Sequence, residues 1–137
     1  IHHNFARVER HFGEQVVVHR KGATSATDGE IGIIPGSMGT NTYIVRGKGS
    51  ADSFASCSHG ASRVMSRTQA KKTIRQEDFE QALAHTFTRP SRGYVDEAPQ
   101  SYKDVDEVVR RQSDLVDAVH ILKPIITLKG DSKARDD

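Results

Sequence analysis

The sequence predicts an α+β fold of mixed short strands and helices, and two observations lead to this class. The first half of the chain carries short runs of β-branched residues, such as the three valines at 16–18, separated by glycine-rich turns. The second half carries segments whose apolar residues recur at helical spacing, such as Val105, Val108 and Val109. We therefore expect strands to dominate the first half and helices the second.

The elements of the first half are predicted in chain order. Residues 4–11 are expected to form a short helix, with Phe5 and Val8 on one side and Gly13 ending it. Residues 16–18 form a strand, residues 21–24 a polar turn, and residues 31–34 a second strand. Proline and glycine make residues 35–40 an irregular loop, and residues 43–45 form a third strand.

The second half is predicted in the same way. Residues 60–72 are expected to form a helix rich in arginine and lysine, and residues 76–84 a second helix. Residues 88–93 form a loop that contains Pro90, and residues 104–111 a third helix. The apolar segment 115–122 fits either a helix or a strand, and Pro124 ends it. Residues 125–128 are expected to form a final strand, and the charged tail at 131–137 is expected to be disordered.

Length and composition limit the function classes. With 137 residues, of which 35% are hydrophobic and 28% charged, the chain fits one domain or a piece of one. The net charge of +2 implies no partner by itself, and no apolar run is long enough to predict a transmembrane helix. The single cysteine excludes an internal disulfide and fits a cytoplasmic location. Because the chain starts at Ile1 with no signal-peptide pattern, we expect it to be part of a longer one.

The loop at 35–40 has residue types suited to a phosphate or a base. Its glycines permit close backbone approach, and its hydroxyl groups can bind phosphate oxygens. The spacing is not that of a P-loop, because no Gly-Lys-Ser/Thr follows. A tight β-turn is the plainer interpretation of the same residues.

The segment at 56–61 precedes a predicted helix, whose N-terminus would attract an anion through its free N–H groups. There the neutral imidazole of His59 has a lone pair that can attack phosphorus. Arg63 and Arg67, four residues apart, would share a helix face and suit a phosphate-rich partner. The alternative is an ordinary, partly buried histidine beside a solvated arginine face. Cys57 is better explained as a small buried residue than as a nucleophile.

Two further features are weak when taken singly. His2 and His3 are adjacent and point in different directions, so at most one would bind a given metal, and other ligands would be required. Lys21 and Lys129 each follow a predicted strand and precede glycine, where a lysine can reach a phosphate. An ordinary surface lysine is the commoner role.

Taken in order, eight motifs resemble one family. They run from His3 to Gly130 and look like the C-terminal part of the RtcB family of RNA-splicing ligases. The resemblance implies that residues 1–130 are the C-terminal part of an RtcB-like catalytic domain, followed by the tail at 131–137. The motifs are His3-Asn4, His19-Arg20-Lys21-Gly22-Ala23, Gly32-Ile33-Ile34-Pro35-Gly36-Ser37-Met38-Gly39, Ser56-Cys57-Ser58-His59-Gly60-Ala61, Ser66-Arg67, Tyr102-Lys103-Asp104-Val105-Asp106, Gln112-Ser113-Asp114-Leu115-Val116 and Lys129-Gly130.

The resemblance implies an RNA ligase that consumes GTP and uses Mn²⁺. Such ligases join RNA ending in a 2′,3′-cyclic phosphate or a 3′-phosphate to RNA with a 5′-hydroxyl. A histidine, which corresponds to His59, attacks the α-phosphate of GTP and becomes a histidine–GMP phosphoramidate. The GMP then passes to the RNA 3′-phosphate, and the 5′-hydroxyl displaces it.

The same resemblance implies roles for other residues. His3 corresponds to a manganese ligand, and Lys21, Arg63 and Arg67 lie where the family handles RNA phosphates. Tyr102 corresponds to a residue that stacks on or borders guanine, and Lys129 to a lysine that contacts the base. The full set of nucleotide-binding residues implied in this way is Pro35, Gly36, Ser37, Thr42, Gly60, Ala61, Tyr102 and Lys129.

Some positions depart from the family's pattern. Ser62 stands where the family usually has glycine and could crowd the GMP phosphate, and Thr42 stands where serine is common. The family's other manganese ligands, and an asparagine that contacts GMP, lie in an N-terminal part that this chain does not contain. One hypothesis is therefore a ligase fragment that needs the N-terminal remainder of its parent enzyme and is inactive alone. The other is a non-catalytic module that binds nucleotide or RNA, and a metallohydrolase ranks below both.

Overall fold

The computed structural model describes residues 3–129 and combines strands with short helices, which confirms the α+β class. The predicted disordered tail at 131–137 lies outside the described residues. The strands are β1 (Asn4–His11), β2 (Glu14–Lys21), β3 (Ala23–Ser25), β4 (Ile31–Pro35), β5 (Thr42–Gly47), β6 (Ser56–Ser58) and β7 (Val116–Leu122). The α-helices are α1 (Arg67–Thr73), α2 (Gln76–Leu83) and α3 (Val105–Arg110), and 3₁₀ turns cover Ala51–Ser53, Arg92–Glu97 and Pro99–Ser101.

The helix predicted at residues 4–11 is wrong, because this segment is strand β1. All eight of its residues pair antiparallel with β2, and the last pair, His11 with Glu14, leaves a two-residue turn. Phe12 and Gly13 in that turn have φ values of 52° and 85°, which matches the twist of a tight hairpin. Phe5 and Val8 do not share a side, since Phe5 is half-buried and Val8 is 58% exposed.

The remaining strands form two further antiparallel sheets. β3 pairs with β6, and a three-stranded sheet has the order β4-β5-β7. The predicted strands at 16–18, 31–34 and 43–45 are confirmed within β2, β4 and β5. The ambiguous segment 115–122 is strand β7 over most of its length, at the edge of the three-stranded sheet. The polar turn predicted at 21–24 shortens to Gly22, since β2 ends at Lys21 and β3 begins at Ala23.

The final strand predicted at residues 125–128 is wrong. The carbonyl of Ile125 accepts a hydrogen bond from the Phe87 N–H at 2.8 Å, and the Thr127 N–H donates to Thr88 Oγ1 at 2.8 Å. The segment therefore satisfies backbone groups against the loop that follows α2 rather than against a strand.

The helix predicted at 60–72 forms only in its last part, as α1. Ser66 is its N-cap and accepts a hydrogen bond from the Gln69 N–H at 3.1 Å. Residues before the cap are kept out of the helix, because Ser62 has a left-handed φ of 58° and Arg63 forms a β-bridge with Tyr102. The helices predicted at 76–84 and 104–111 are confirmed as α2 and α3.

The core consists of two buried clusters. The first lies between the sheet strands, β6 and α3, and the second joins α2 to the 3₁₀ turns and the loop after β4. Among the helices described between residues 3 and 129, none combines the length and apolarity needed to cross a membrane. The first cluster contains Ala26, Ile34, Tyr43, Val45, Cys57, Ala61, Val105, Val109 and Val116, and the second contains Met38, Phe79, Leu83, Val95 and Ala98.

The buried Arg20 side chain forms an ion pair within the β1–β2 hairpin and attaches the hairpin to Ser56 in β6 and to Phe54 before it. Arg20 is 2% exposed, and its guanidinium binds the Glu9 carboxylate through two contacts of 2.5 and 3.0 Å. The same guanidinium donates to Ser56 Oγ and to the Phe54 carbonyl, each at 2.8 Å. Because Arg20 lies just before Lys21 and Gly22, its hydrogen bonds to Phe54 and Ser56 hold the hairpin's end beside β6.

Candidate functional site

His59 lies directly after β6, and pairing of β6 with β3 brings it to the turn at Gly22. Its Nδ1 is 2.6 Å from the Gly22 carbonyl oxygen. A carbonyl only accepts, so Nδ1 carries the proton and donates it. The neutral ring therefore has its lone pair on Nε2, the nitrogen a nucleophilic imidazole would use.

The conformation of Gly22 contributes to this contact. Its φ is 73°, in the left-handed region that glycine adopts without strain. A methyl group on Gly22 would lie 3.8 Å from Cε1 of His59, an ordinary van der Waals distance, so the ring leaves room for a methyl group there. The turn at the end of β2 thus holds the His59 ring through its carbonyl oxygen.

His3 stacks on His59. The ring centroids are 4.9 Å apart with 20° between the planes, and the Gly22 N–H donates to the His3 carbonyl at 3.0 Å. His2 lies outside the described residues. Within residues 3–129, no group of three or more His, Cys, Asp or Glu side chains is placed to hold a metal ion. The described part of the chain therefore does not complete a manganese site.

The loop between β4 and β5 lies against the segment after His59. The Ala61 N–H donates to the Pro35 carbonyl at 3.1 Å, and a methyl group on Gly60 would lie 3.1 Å from the same oxygen. Thr42 is paired with Pro35 where β4 and β5 meet the loop. The structure thus brings together five of the predicted nucleotide-binding residues, namely Pro35, Gly36, Thr42, Gly60 and Ala61.

The same loop also has the internal bonds of a tight turn. The Ser37 N–H donates to Thr40 Oγ1 at 2.6 Å, and the Gly36 N–H donates to the Asn41 carbonyl at 3.0 Å. A methyl group on Gly36 would lie 2.6 Å from the Asn41 oxygen, so the loop's own backbone explains why this residue is glycine. The predicted nucleotide contact of Ser37 remains a prediction.

A second group of predicted residues converges on Glu97. Tyr102 Oη donates to Glu97 Oε2 at 2.8 Å, and Lys129 Nζ lies 3.4 Å from the same oxygen. Arg67 also contacts the Glu97 carboxylate, and Arg63 Nη1 lies 3.7 Å from it. Burial acts to raise the pKa of Glu97, but the hydrogen bond from Tyr102 and the charges of Lys129 and Arg67 lower it overall.

The prediction that Arg63 and Arg67 share a helix face is wrong, because Arg63 precedes α1. Arg63 instead donates to the Asp96 carbonyl at 2.7 Å and lies over the Tyr102 ring, 4.9 Å from its centroid. Arg67 forms an ion pair with the Asp96 carboxylate at 2.7 Å. Both guanidinium groups therefore meet at an acidic pair, and their predicted RNA contacts remain predictions.

The anion site predicted at a helix N-terminus beside His59 is also wrong. Residues 59 and 60 are bends, and the nearest helix begins only at Arg67. Lys21 is exposed at the end of β2, next to Gly22, as expected for a lysine at a strand end. Cys57 is confirmed as a small buried residue, and burial raises its pKa to about 11.

Sequence reasoning missed Gly22 and Glu97 as members of these groups. Gly22 had a local signal, since a glycine directly after a strand often has a positive φ. Glu97 had none, because its partners Arg63, Arg67 and Lys129 are distant along the chain and meet it only through folding.

The chain is similar to known proteins over nearly its whole length. A family model described as tRNA-splicing ligase RtcB matches residues 1–130. RNA-splicing ligase RtcB of Escherichia coli K12 is 53% identical over 129 residues, which cover 94% of this chain and 32% of that protein. RNA-splicing ligase RtcB of Mycobacterium tuberculosis is 38% identical, with 95% of this chain and 35% of that protein covered.

A third relative, tRNA-splicing ligase RtcB of Methanopyrus kandleri, is 38% identical, with 95% of this chain and 16% of that protein covered. The chain thus spans about a third or less of the length of these relatives. The family match covers both groups of residues described above, the one around His59 and the one around Glu97, including Lys129. On this match, the chain belongs to the tRNA-splicing ligase RtcB family.

Proposed function

We propose that this chain is the part of a GTP-dependent RNA ligase that carries the nucleotide-accepting histidine. The joined ends would be an RNA 2′,3′-cyclic phosphate or 3′-phosphate and an RNA 5′-hydroxyl. The observation that carries the proposal is the hydrogen bond from His59 Nδ1 to the Gly22 carbonyl. Family membership and the printed names of the relatives, which are RNA- or tRNA-splicing ligases, support the substrate class.

The bond from Nδ1 supports a specific first step. The Nε2 lone pair of His59 attacks the α-phosphorus of GTP, an N–P bond forms, and the bond to the β-phosphate oxygen breaks so that pyrophosphate leaves. The ring then carries positive charge, which the Gly22 carbonyl oxygen stabilises through the Nδ1 proton. Passing GMP to an RNA 3′-phosphate returns the imidazole to its neutral form, and attack by the 5′-hydroxyl releases GMP.

The proposed nucleotide pocket draws on both groups of residues. The loop from Pro35 to Thr42 would form one wall beside His59, and its contact with Ala61 supports this arrangement. Tyr102 and Lys129 would bind the guanine, supported by the carboxylate of Glu97 that holds both. The remaining residues proposed to contact the nucleotide are Gly36, Ser37 and Gly60.

We propose that His3 supplies one manganese ligand, with the other ligands coming from the N-terminal remainder of the parent enzyme. Residues 3–129 do not form a three-ligand cluster, so the described part of the chain does not fit a complete site. The stacked position of His3 on His59 supports a role close to the reacting nitrogen.

A second candidate function is a non-catalytic module that binds nucleotide or RNA. It is favoured by the incomplete ligand set among residues 3–129 and by Ser62, whose side chain lies three residues from His59. Under this alternative the residues around Glu97 would still bind a ligand, but no GMP would become attached to His59.

The decisive experiment uses a chimaera of the E. coli relative in which this chain replaces the matched segment. GTP labelled at its α-phosphate should transfer label to the protein in the presence of Mn²⁺, and the bond should be labile in acid. His59→Ala should abolish the label, whereas His19→Ala, at an exposed position on the hairpin, should retain it. Label that persists in His59→Ala would sink the assignment. We further expect the isolated chain to join no RNA ends.

A further inference from the structure

A groove of about 450 Å³ lies between α1, α2 and the 3₁₀ turn Arg92–Glu97, away from His59. Three basic residues, Lys71, Arg75 and Arg92, line it, and Glu77 is the one acidic residue in its lining. Ile74 and Val95 complete the groove with apolar surface. The combination of excess positive charge with a small apolar surface suits a ligand that is both anionic and flat.

The basic side chains remain accessible to a ligand. Lys71 lies 3.7 Å from Asp96 and Arg75 lies 2.8 Å from Asp78, but their side chains are 53% and 74% exposed. The Arg75–Asp78 pair is exposed and contributes little, and the buried Asp96 carboxylate near Lys71 is already bound by Arg67, so a phosphate can compete for both cations. Arg92 is exposed and forms no ion pair with any residue between 3 and 129.

One lining residue of the same groove carries an unsatisfied acceptor. Gln76 lines it, and its Nε2 donates to Glu80 Oε1 at 2.8 Å and to the Pro90 carbonyl at 3.4 Å. Both partners are acceptors, which fixes the amide orientation. Its Oε1 is buried and has no hydrogen-bond partner within residues 3–129. A buried acceptor left unmet costs about 1–3 kcal/mol, so a turn of the Gln76 side chain that exposes Oε1 to an N–H or O–H donor in the groove removes this cost.

We propose that this groove binds one nucleotide of a single-stranded RNA substrate. A phosphate contacts Lys71, Arg75 and Arg92, and the base lies over Ile74 and Val95. A base N–H donates to Gln76 Oε1 once the Gln76 side chain turns towards the groove. The inference rests on the proposed RNA-ligase function, but the site is separate from the histidine that accepts GMP.

The groove continues towards the Glu97 group. Lys71 also lines a neighbouring cavity of about 410 Å³ together with Arg67, Lys129 and Glu97. Arg67 and Lys71 are one helical turn apart on α1, which sets their Cα atoms about 6 Å apart along the axis. An RNA strand in the groove would therefore run on towards the residues proposed to hold the guanine nucleotide.

The test measures binding of a labelled single-stranded RNA to the chain by fluorescence anisotropy over a range of salt concentrations. The triple variant K71Q/R75Q/R92Q should weaken binding about tenfold or more and reduce the slope of log affinity against log salt by about 2. A matched triple variant with the same charge change, R10Q/R46Q/K123Q, alters exposed residues elsewhere and should have a much smaller effect. Gln76→Met should weaken binding a few-fold without changing the slope.

Two outcomes would overturn the proposal. One is that the two triple variants weaken RNA binding equally. The other is that an acidic peptide binds more tightly than RNA and depends on the same three residues. In the chimaera, the K71Q/R75Q/R92Q variant should keep the GMP label on His59 while needing more RNA for half-maximal ligation. If no GMP label forms on His59 but RNA binding still depends on Lys71, Arg75 and Arg92, the proposed ligase function is rejected. The proposed RNA site in the groove would then still stand.

Discussion

Replacing Glu9 by glutamine should strongly destabilise the fold, because it leaves the buried Arg20 without its counter-charge. The hydrogen bond from Arg20 is the largest cause of a Glu9 pKa lowered from 4.5 to about 2, while burial opposes it and His11 and Arg7 add to the lowering. Each tenfold change in the proton dissociation constant corresponds to about 1.4 kcal/mol. The lowered pKa of Glu9 therefore corresponds to about 3 kcal/mol of stabilisation of the folded state. The Glu9 side chain is 10% exposed, so solvent screening is small.

The assay is urea unfolding followed by circular dichroism. Glu9→Gln should lower the free energy of unfolding by about 3 kcal/mol, whereas Glu14→Gln, at the exposed end of the same hairpin, should change it by less than about 0.5 kcal/mol. Arg20→Gln should cost much less in the Glu9→Gln background than in the wild type, since the pair is already broken. Equal costs in the two backgrounds, or a Glu9→Gln variant as stable as the control, would refute the reasoning.

The same pair predicts a pH dependence with a definite sign. Because the folded-state pKa of Glu9 is lowered, its stabilisation is fully present above about pH 4.5 and is lost as the pH falls towards 2. Other acidic groups with lowered pKa values also contribute to the pH dependence of the free energy of unfolding. The difference in this free energy between wild type and Glu9→Gln therefore isolates the contribution of Glu9. That difference should shrink between pH 4.5 and 2 and stay constant at higher pH.

Three further predictions concern single positions near the site. Ser62→Gly should stabilise the fold by about 0.5–1 kcal/mol in urea unfolding, because it relieves a left-handed φ of 58°. Ser113→Gly, at a position where φ is not positive, should destabilise the fold. Destabilisation by both variants would contradict this prediction. The Cys57 thiol, with a pKa of about 11, should react with a thiol reagent far more slowly in the native protein than in urea, and equal rates would count against its burial. Gly22→Ala should cost about 1 kcal/mol or more and weaken the bond to His59, seen as a change in the His59 tautomer by nitrogen NMR; an unchanged tautomer would argue against the role of Gly22.

The strands and helices that could be predicted are those whose signal is local. Runs of β-branched residues located β2 and β4, and helical apolar spacing located α2 and α3. The segment 4–11 carries a misleading local signal, because Phe5 and Val8 are three residues apart, a spacing compatible with a helix. Its strand state depends on pairing with β2 through a turn in which Phe12 takes a positive φ, which is uncommon for a bulky residue.

The segment after His59 shows a different limit. Its basic composition favours a helix throughout, but a left-handed Ser62 and the bridge between Arg63 and Tyr102 delay the helix to Arg67. At position 62 the resembled family usually has glycine. Glycine adopts a left-handed φ without steric cost, which gives a physical reason for that preference. The bridge partner lies in a distant segment, so no local pattern announces it.

The sequence by itself determined the family resemblance and the residue types available for chemistry, including His59 as the candidate nucleotide acceptor. Only the tertiary structure decided which nitrogen of His59 is free, because pairing of β3 with β6 places the Gly22 carbonyl against Nδ1. The tertiary structure also gathered Tyr102 and Lys129 on Glu97. The physical reason is that hydrogen bonds and ion pairs act over a few ångströms in space, whereas their partners here are separated by long stretches of chain.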